Sequence, residues 1–512
     1  MYSAHMTTML AVLLMGQGMC MAPPPSKEIT SFPSGTIIPR VGSSSLEVTT
    51  TSERARELVK QGLALRHCFW FNESLRAFRD AAKADPNCAL AWWGVHAALK
   101  NPWYDLPGGD KEADYAIKRA TQLADRVTPV ESGLILAYRG YAETKDRRKF
   151  YEALEAVIKA HPEQTEPRLL LAGHMIQVNL GAYDESGKPF GELTRPLELA
   201  NQVLKVEPTN GGAHHYVIHA IEGSSTPERA LKSADAIGKC APGSAHMVHM
   251  AGHIFFRVGH YARAREVFQR SIEVNEKYFA DIKSDDSADW NYGHNVRFAL
   301  FNLIEMGKFE EAKELAKKVS DSSVTTLIAE RTGDFTRLDP NRFDTSEPDA
   351  VAVLFHLSQN NLLKARTALD SLKKRVPKQP KANTWSLVQS VITLSAESAV
   401  LAAEGKHGEA KKSLDEAIAL HSQIAYDEPP FVTTPPEEIL GHVLLRAGQI
   451  KEAVQAFEAA LKWRPNSGYA LRGIAMALKT KAAYQRFLDA WKDADANHPW
   501  VVEAKRLAAS SN

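Results

Sequence analysis

The chain is a long series of amphipathic segments with helical spacing. Apolar residues recur every three to four positions from Ala55 to Leu507, and no region shows the alternation of β-branched and polar residues that is typical of a strand. Near the C-terminus the landmarks return at a fixed interval, because Phe457 and Trp491 are 34 positions apart. The pattern predicts an all-α protein built from a repeated pair of helices.

A helix pair of 34 residues is the period of the tetratricopeptide repeat. This repeat has a small residue where two helices touch, a large apolar residue between them and a proline after the second helix, as at Gly62, Phe78 and Pro86. We predict a right-handed α-solenoid of about ten to twelve pairs, one structural unit curled into a superhelix with a concave groove. It spans residues 51–508, and its repeats are clearest at 55–88, 211–278 and 434–501.

Two segments precede the helical region. Residues 1–22 hold an apolar run from Met9 to Met15 followed by small residues, which predicts a secretory signal peptide and a periplasmic or secreted protein. Residues 23–50 are rich in proline, glycine and serine, and we predict an extended linker there. Beyond the leader we recognise no run of about 20 apolar residues, so the mature form is not expected in a membrane.

Composition narrows the class of ligand. The chain has 62 Lys and Arg against 61 Asp and Glu, so no overall field favours nucleic acid or an anionic membrane. It has no P-loop and no dinucleotide-binding fingerprint, so we predict no nucleotide cofactor. Cys68 and Cys88 are expected either to form a disulfide or to remain buried thiols.

Histidines are concentrated in the middle of the chain. Six of the eighteen lie between His214 and His253, and the pairs His215/His249 and His219/His253 are each separated by 34 positions. The repeat register puts these four residues at the fifth and ninth positions of two adjacent first helices, which line the concave face. Residues four apart share a helix face and packed helices lie about 8–10 Å apart, so four imidazoles can reach one ion. We therefore predict metal ligands at His215, His219, His249 and His253.

Further residues fall near this face in the same register. Glu222 lies one turn beyond His219 and is the candidate general base or an additional oxygen ligand. The segment that begins at Tyr426 is predicted either to cap the groove and contribute Glu438, or to be a stiff loop whose carboxylate stabilises a helix dipole. The additional candidates for the site are His174, His246, His294, Arg297, Glu438 and His442.

Three functions are open to such a protein. The first is metal binding, for which zinc or copper fits an exported protein best and iron fits two histidines with one carboxylate. If that site is catalytic, we expect a metal-dependent hydrolase or oxidoreductase. The second is a groove for a peptide, a small molecule or a protein partner, with histidines that gain charge below about pH 6.5. The third is a purely structural scaffold.

One family resemblance rests on four blocks of sequence. These are HHYVIHAIEGSSTPERAL, HMVHMAGHIFFRVGHYARA, YGHNVRF and YDEPPFVTTPPEEILGHVLLRAGQ. They resemble the HYxxHAxE, HMPxHIxxRxGxY, HNxHFL and EPPxWYYPxRExLG blocks of a group of bacterial tetratricopeptide-repeat proteins, many with export signals. The resemblance implies a special site but names no reaction. This chain departs from the family at Ala251, Arg297 and Phe431–Thr434, which puts its ligand, or metal binding itself, in question.

Overall fold

The computed structural model describes residues 32–101, 109–179, 182–184, 187–189, 191, 193–283, 290–318, 323–343, 349–376 and 383–510. Within these ranges the chain forms 24 α-helices and no β-strand. The predicted all-α solenoid is confirmed. The predicted signal peptide, residues 1–22, lies outside the described residues.

The first twelve helices lead from the N-terminal repeat to the middle of the solenoid. They are α1 (Glu53–His67), α2 (Phe71–Ala84), α3 (Ala89–Leu99), α4 (Asp110–Leu123), α5 (Pro129–Thr144), α6 (Arg147–Ala160), α7 (Glu166–Val178), α8 (Thr194–Val206), α9 (Gly211–Ile221), α10 (Leu231–Cys240), α11 (Ala245–Arg257) and α12 (Tyr261–Ile282).

The other twelve helices lead from the middle to the C-terminus. They are α13 (Trp290–Glu305), α14 (Phe309–Lys318), α15 (Val324–Thr332), α16 (Ala350–Ser358), α17 (Leu362–Arg375), α18 (Thr384–Ala403), α19 (His407–His421), α20 (Pro436–Arg446), α21 (Ile450–Trp463), α22 (Gly468–Leu478), α23 (Lys481–Ala490) and α24 (Pro499–Ser510). Short 3-10 helices lie at Ala124–Arg126, Pro227–Ala230 and Pro340–Phe343.

Helices of a pair interlock through a glycine and a phenylalanine. A glycine on the first helix faces a phenylalanine ring on the second, and a Cβ atom at the glycine would overlap that ring. The pairs are Gly62 with Phe78, Gly252 with Phe268 and Gly441 with Phe457, each sixteen positions apart. The three rings are fully buried, so this contact fills the space between the helices of a repeat.

Both ends of the solenoid return to its middle. From the N-terminal repeat, Glu73 on α2 accepts a hydrogen bond from Tyr278 Oη on α12 at 2.8 Å. From the C-terminal repeats, Tyr469 Oη on α22 donates to the Ile304 carbonyl on α13 at 2.9 Å. The superhelix is therefore curled, and the middle helices contact both ends of the chain.

The segment ahead of α1, residues 32–50, has no helix and is hydrogen-bonded to the repeats. Ser44 Oγ donates to Glu166 Oε2 at 2.5 Å, and the Thr49 amide donates to Glu131 Oε1 at 2.9 Å. Its apolar side chains are buried among the first repeats. The linker prediction is wrong for residues 32–50, because these hydroxyl and amide groups satisfy carboxylates of the repeats and tie the segment down.

Among the described residues, one helix is long and apolar enough, by length and composition, to cross a membrane. The α18 helix has 20 residues, and a little over half of its most apolar stretch is buried in the fold. It packs against α16, α17, α19 and α20. The prediction that no apolar run of this length follows the leader is therefore wrong for α18, whose burial is that of a core helix.

Cys68 and Cys88 are free, buried thiols. Of the two alternatives for this pair, the disulfide is therefore excluded. Burial raises the pKa of Cys68 to about 12 and that of Cys88 to about 11, so both thiols stay protonated and apolar in character.

Candidate metal centre

Six histidine side chains meet where α9, α11 and α13 lie side by side. The contributors are His215 and His219 from α9, His246, His249 and His253 from α11, and His294 from α13. The side chains of Asn210 and Ser244 cap α9 and α11 and start these helices just ahead of the histidines. None of the six histidines is more than 6 % exposed.

Three of them, which we call the first triad, share one hydrogen-bonding arrangement. In His215, His219 and His246 the Nδ1 atom faces an acceptor. The acceptors are the His67 carbonyl at 2.7 Å, Glu222 Oε1 at 2.7 Å and Asn291 Oδ1 at 3.0 Å, respectively. A neutral imidazole has a single N–H group, and an acceptor at Nδ1 holds the proton there. Each ring is thereby left with a lone pair on Nε2.

The three rings of the first triad turn toward one point. Their potential ligand atoms lie within 4.8 Å of one another, and His215 Nε2 is 3.1 Å from His246 Nε2. His219 Nε2 is buried and has no hydrogen-bond partner among the described residues. Two nitrogen lone pairs at such a distance repel each other unless a cation lies between them. Nitrogen ligands of one zinc ion, at about 2.0–2.1 Å each, are spaced in this way.

The other three histidines form a second triad of His249, His253 and His294. Their potential ligand atoms also lie within 4.8 Å of one another, and His249 Nε2 is 2.5 Å from His253 Nε2. The His249 and His294 rings meet at a centroid distance of 4.6 Å. The histidines predicted to share one ion are thus divided between two triads, because His246 lies opposite His215 and His294 lies opposite His249.

Glu222 joins the two triads. Its Oε1 accepts from His219 Nδ1 at 2.7 Å, and its Oε2 accepts from His253 Nδ1 at 3.0 Å. Both oxygens are therefore engaged in orienting imidazole rings. The role of general base that the sequence predicts for Glu222 requires an oxygen that is not held in this way.

A second carboxylate, Glu428, reaches the same place from the C-terminal part of the chain. Its Oε2 contacts His253 Nδ1, and its Oε1 has no hydrogen-bond partner within the described part of the chain. Glu222, His253 and Glu428 form a third group with metal-ligand spacing. Neither carboxylate forms an ion pair with lysine or arginine in the described ranges, and the side chains in direct contact with them are the His219 and His253 imidazoles.

The segment that carries Glu428 lies between α19 and α20. The Tyr426 amide donates to the Tyr183 carbonyl at 2.7 Å, and the Arg257 guanidinium lies 5.2 Å from the centre of the Tyr426 ring. These contacts lay the segment over the end of α11. The groove is therefore capped by this segment, which is one of the two alternatives predicted for it.

The pKa of His253 is raised, whereas the pKa values of four of the other rings are lowered. Burial disfavours an imidazolium, so it holds the pKa of His215, His249 and His294 well below the ordinary value and lowers that of His246 to about 3. Burial acts in the same direction on His253. There, however, the Glu428 and Glu222 carboxylates outweigh it and raise the pKa to about 9.

The two carboxylates differ in the same way. Burial, followed by the charge of Glu222, raises the pKa of Glu428 to about 7. Burial acts to raise the pKa of Glu222 as well, but the His219 and His253 rings outweigh it and hold that pKa below the usual range. Glu222 is the ionised partner of the two and Glu428 the proton-accepting one.

An aromatic ring closes the first triad from the N-terminal side. The Phe69 ring lies 4.4 Å from His215, 5.5 Å from His219 and 5.8 Å from His246, measured between centroids. Its backbone has a positive φ of 54°, which a bulky residue rarely adopts. The cost of this conformation is offset by the packing of the ring on the histidines, which gives the triad an apolar wall.

Comparison with known proteins identifies the repeat. The sequence matches the tetratricopeptide repeat family at residues 245–278 and 439–467, and the first match covers α11 and most of α12. The chain contains tetratricopeptide repeats. No curated protein matches the sequence.

Two solved structures are similar to this repeat protein. One is the APC/C hetero-tetramer Cut9-Hcn1, with 13 % identity over 89 % of this chain and 76 % of that chain and a TM-score of 0.28. The other is the TPR domain of P58(IPK), with 13 % identity over 85 % of this chain and 98 % of that chain and a TM-score of 0.22. Likeness at this level does not bear on what the present chain binds.

Two predicted site residues of the repeats lie outside the triads. His174 packs against Phe150, and its Nδ1 is 3.1 Å from Tyr151 Oη. His442 packs edge-on against Phe457 with a centroid distance of 4.9 Å. Burial lowers the pKa of His174 to about 3 and that of His442 to about 4. His174 is a core histidine of its repeat and His442 is a half-buried one, and neither joins the candidate site.

Two more candidates lie in other surroundings. Glu438 forms an ion pair with Arg331, whose guanidinium donates a hydrogen bond to its carboxylate at 3.1 Å. Glu428, ten positions earlier in the capping segment, takes the place beside the histidines that was expected for Glu438. Arg297 is exposed on α13, so an anion-holding role above the triads is not supported. His246 and His294, by contrast, complete the two triads.

Three supporting groups escaped prediction. They are the Glu428 carboxylate, the Asn291 amide and the backbone carbonyl of His67. The first two do carry a sequence signal, because Glu428 opens the EPP block of the resemblance and Asn291 lies one turn before His294. A backbone carbonyl carries no signal in a sequence.

Proposed function

We propose that the protein binds a transition-metal ion, zinc or copper, through the Nε2 atoms of His215, His219 and His246. One observation carries this proposal: acceptors at all three Nδ1 atoms leave three Nε2 lone pairs directed at one buried point. His219 Nε2 is buried without a hydrogen-bond partner among the described residues, and burying such a group costs free energy. A bound cation turns the same arrangement into a favourable one.

The donor set and its surroundings suit these metals. Three imidazoles with one open position are the ligands of many catalytic zinc sites, and copper accepts the same donors. The acceptors at Nδ1 are the outer contacts that orient metal-bound histidines and raise their basicity. Iron is the third candidate, since Glu222 and Glu428 add carboxylate oxygens nearby.

The proposal extends to catalysis by a metal-dependent hydrolase or oxidoreductase. A metal held by three protein ligands keeps a position for water or substrate. In this proposal Glu222 orients His219 and His253, and Glu428 is the general base. Supporting this assignment, Glu428 keeps one oxygen without a hydrogen-bond partner among the described residues, and its pKa is raised to about 7 by burial and by the charge of Glu222.

Export belongs to the same proposal. Residues 1–22 have the pattern of a signal peptide. In addition, five of the six triad histidines lie in HHYVIHAIEGSSTPERAL and HMVHMAGHIFFRVGHYARA, two of the blocks that resemble exported bacterial repeat proteins. Mass spectrometry of the N-terminus tests this. Cleavage after Ala22 in the periplasmic or secreted fraction is expected, and a cytoplasmic protein that starts at Met1 would contradict it.

Binding of a peptide or protein partner is a second candidate function. The matches to tetratricopeptide repeats favour it, because such repeats commonly present a concave surface to partners. The histidines do not favour it as contact residues, since none of the six is more than 6 % exposed. A partner would therefore engage another part of the solenoid.

Elemental analysis of the purified full-length chain tests metal binding. We expect bound zinc or copper in the wild type and a loss of metal from the first triad in His215→Ala. His174→Ala is the matched control, because His174 is equally buried in a repeat but belongs to neither triad. Equal, substoichiometric metal in all three proteins would contradict the proposal.

A further inference from the structure

We infer that the second triad, His249, His253 and His294, binds a second transition-metal ion next to the first, so that the protein holds a binuclear metal centre. This inference rests on the proposed function and adds a site to it. The two triads share no histidine, and each brings its own three ligand atoms within 4.8 Å of one another. Two complete donor sets are thus present in place of one shared set.

The triads are adjacent. The His246 and His249 rings stack with centroids 6.2 Å apart, and the His219 and His253 rings are 6.5 Å apart. Glu222 contacts His219 through one oxygen and His253 through the other. One carboxylate therefore orients a ligand of each ion, which couples the geometry of the two sites.

In the second triad, His253 has acceptors at its Nδ1 atom, as the three histidines of the first triad do. The Glu222 and Glu428 carboxylates both face His253 Nδ1 and hold a proton on that nitrogen, so a metal would bind at Nε2 in exchange for the second proton of the imidazolium. This is the carboxylate–histidine–metal arrangement of many protein sites. The Nε2 atom of His249 lies 2.5 Å from His253 Nε2. The His249 ring packs against Phe268 and Phe298, in apolar surroundings.

A proton shared between His249 and His253 is the competing explanation of the short contact. It accounts for the 2.5 Å distance between their Nε2 atoms. It does not account for the third ring, since His294 brings a potential ligand atom within 4.8 Å of both. A convergence of three imidazoles is the arrangement that a metal ion requires.

Charge supports two cations. Glu222 and Glu428 are buried and form no ion pair with lysine or arginine within the described ranges, and buried charges need compensation. Two copper(I) ions would balance the two carboxylates. Two divalent ions would leave an excess positive charge, and the centre would then hold an anionic group from solution, such as a carboxylate or a phosphate.

The number of ions per chain tests the inference. The full-length protein is dialysed against zinc or copper and its metal-to-protein ratio is measured. We expect two ions in the wild type, one in His294→Ala, one in His246→Ala and two in His174→Ala, which leaves both triads intact. A wild type with one ion that His294→Ala retains and His246→Ala loses would overturn the second site and leave the proposed function standing. A wild type without metal would overturn both.

A measurement on the wild type alone guards against variants that fail to fold. The protein is loaded with copper(II) and its electron paramagnetic resonance is recorded against total copper. Adjacent ions couple, so we expect a signal well below that of the same amount of isolated copper(II). A signal that accounts for all the bound copper would overturn the binuclear centre.

Discussion

The histidine triads and a second buried cluster, at the junction of the middle and C-terminal repeats, differ in what faces their carboxylates. In that second cluster, which we call the arginine cluster, Arg331 donates to Glu305 at 3.2 Å and to Glu438 at 3.1 Å. Its guanidinium lies 3.8 Å from the centre of the Tyr469 ring. Around the triads, the side-chain contacts of Glu222 and Glu428 among the described residues are to the His219 and His253 imidazoles.

The difference separates a structural cluster from a ligand site. The arginine cluster contains its own cation, so both of its carboxylates contact a guanidinium of the chain, and it joins α13, α15 and α20. The triads leave ring nitrogens directed at shared points, and their two carboxylates share the single His253 imidazole. Buried polar groups are usually satisfied, so the unsatisfied cluster is the one where an external cation is expected.

The largest effect is expected from removing the cation of the arginine cluster. Arg331→Met leaves Glu305 and Glu438 buried without their partner and should lower the free energy of unfolding by about 3–5 kcal/mol. Chemical denaturation of the metal-free protein measures this. Metal content per folded chain should stay at the wild-type value.

The exposed pair of Arg486 and Glu458 is the matched control for that prediction. These side chains are 51 % and 46 % exposed, so Arg486→Met should change stability by about 1 kcal/mol or less. An equal loss of stability in Arg331→Met and Arg486→Met would contradict the comparison, because the buried arginine cluster would then stabilise the fold no more than an exposed ion pair.

The next effect is the stabilisation of the fold by metal. A ligand that binds only the folded state at 100 times its dissociation constant stabilises that state by about 2.7 kcal/mol. Added zinc or copper should therefore stabilise the wild type and Arg486→Met, and should stabilise a His215→Ala/His246→Ala variant far less. Unfolding curves with metal and with chelator measure the difference. The same metal-dependent shift in the double variant would contradict the site.

A smaller effect is expected from the outer contact of His246. Asn291 Oδ1 accepts from His246 Nδ1 at 3.0 Å, and loss of such a contact weakens metal binding by about 10- to 100-fold. Asn291→Ala should show this loss in a competition titration with a chelator, and Asn291→Asp, which keeps an acceptor, should restore affinity.

Asn302 on the same helix provides the control for Asn291. It is buried and donates to the Tyr261 carbonyl at 3.1 Å. Asn302→Ala should lower stability but leave the affinity of the folded protein for metal unchanged. An equal loss of affinity in the two alanine variants would point to a general loosening of α13.

The smallest effect concerns acid stability outside both clusters. Burial lowers the pKa of His174 to about 3 in the folded state, so below the ordinary value of 6.5 the unfolded chain takes up a proton that the folded chain refuses. Stability must therefore fall by about 1 kcal/mol per pH unit for this group as pH falls from 6.5 to 5.

His174→Phe removes this contribution. The variant should lose stability less steeply than the wild type between pH 7 and pH 5, with both proteins measured by urea denaturation in chelator. The difference in slope isolates His174, because the triads titrate in both proteins. Identical slopes would show that His174 is not a buried neutral histidine.

The fold was predictable from the sequence because its determinants are local. The spacing between Gly62 and Phe78 recurs in other repeats and encodes a contact within one pair of helices. The interval of 34 positions between His215 and His249 likewise places both on equivalent faces of adjacent helices. Such periodicity can be recognised in the sequence without knowing how the superhelix curls.

The division of the histidines into two triads was not predictable from the same register. It depends on side-chain directions, which put His246 opposite His215 and His294 opposite His249. Glu428 was missed because it reaches His253 only when the superhelix curls and the capping segment folds over α11. The packing of residues 32–50 was missed for a similar reason, since their partners are carboxylates of repeats far along the chain.

Diffraction from crystals of the metal-loaded protein, recorded at the absorption edge of the metal, tests the central claim most directly. The account predicts an anomalous peak within about 2.0–2.1 Å of the Nε2 atoms of His215, His219 and His246, with their Nδ1 atoms still facing the His67 carbonyl, Glu222 and Asn291. A map without a peak at that point, with the three rings turned so that Nε2 bonds to protein groups instead, would contradict it.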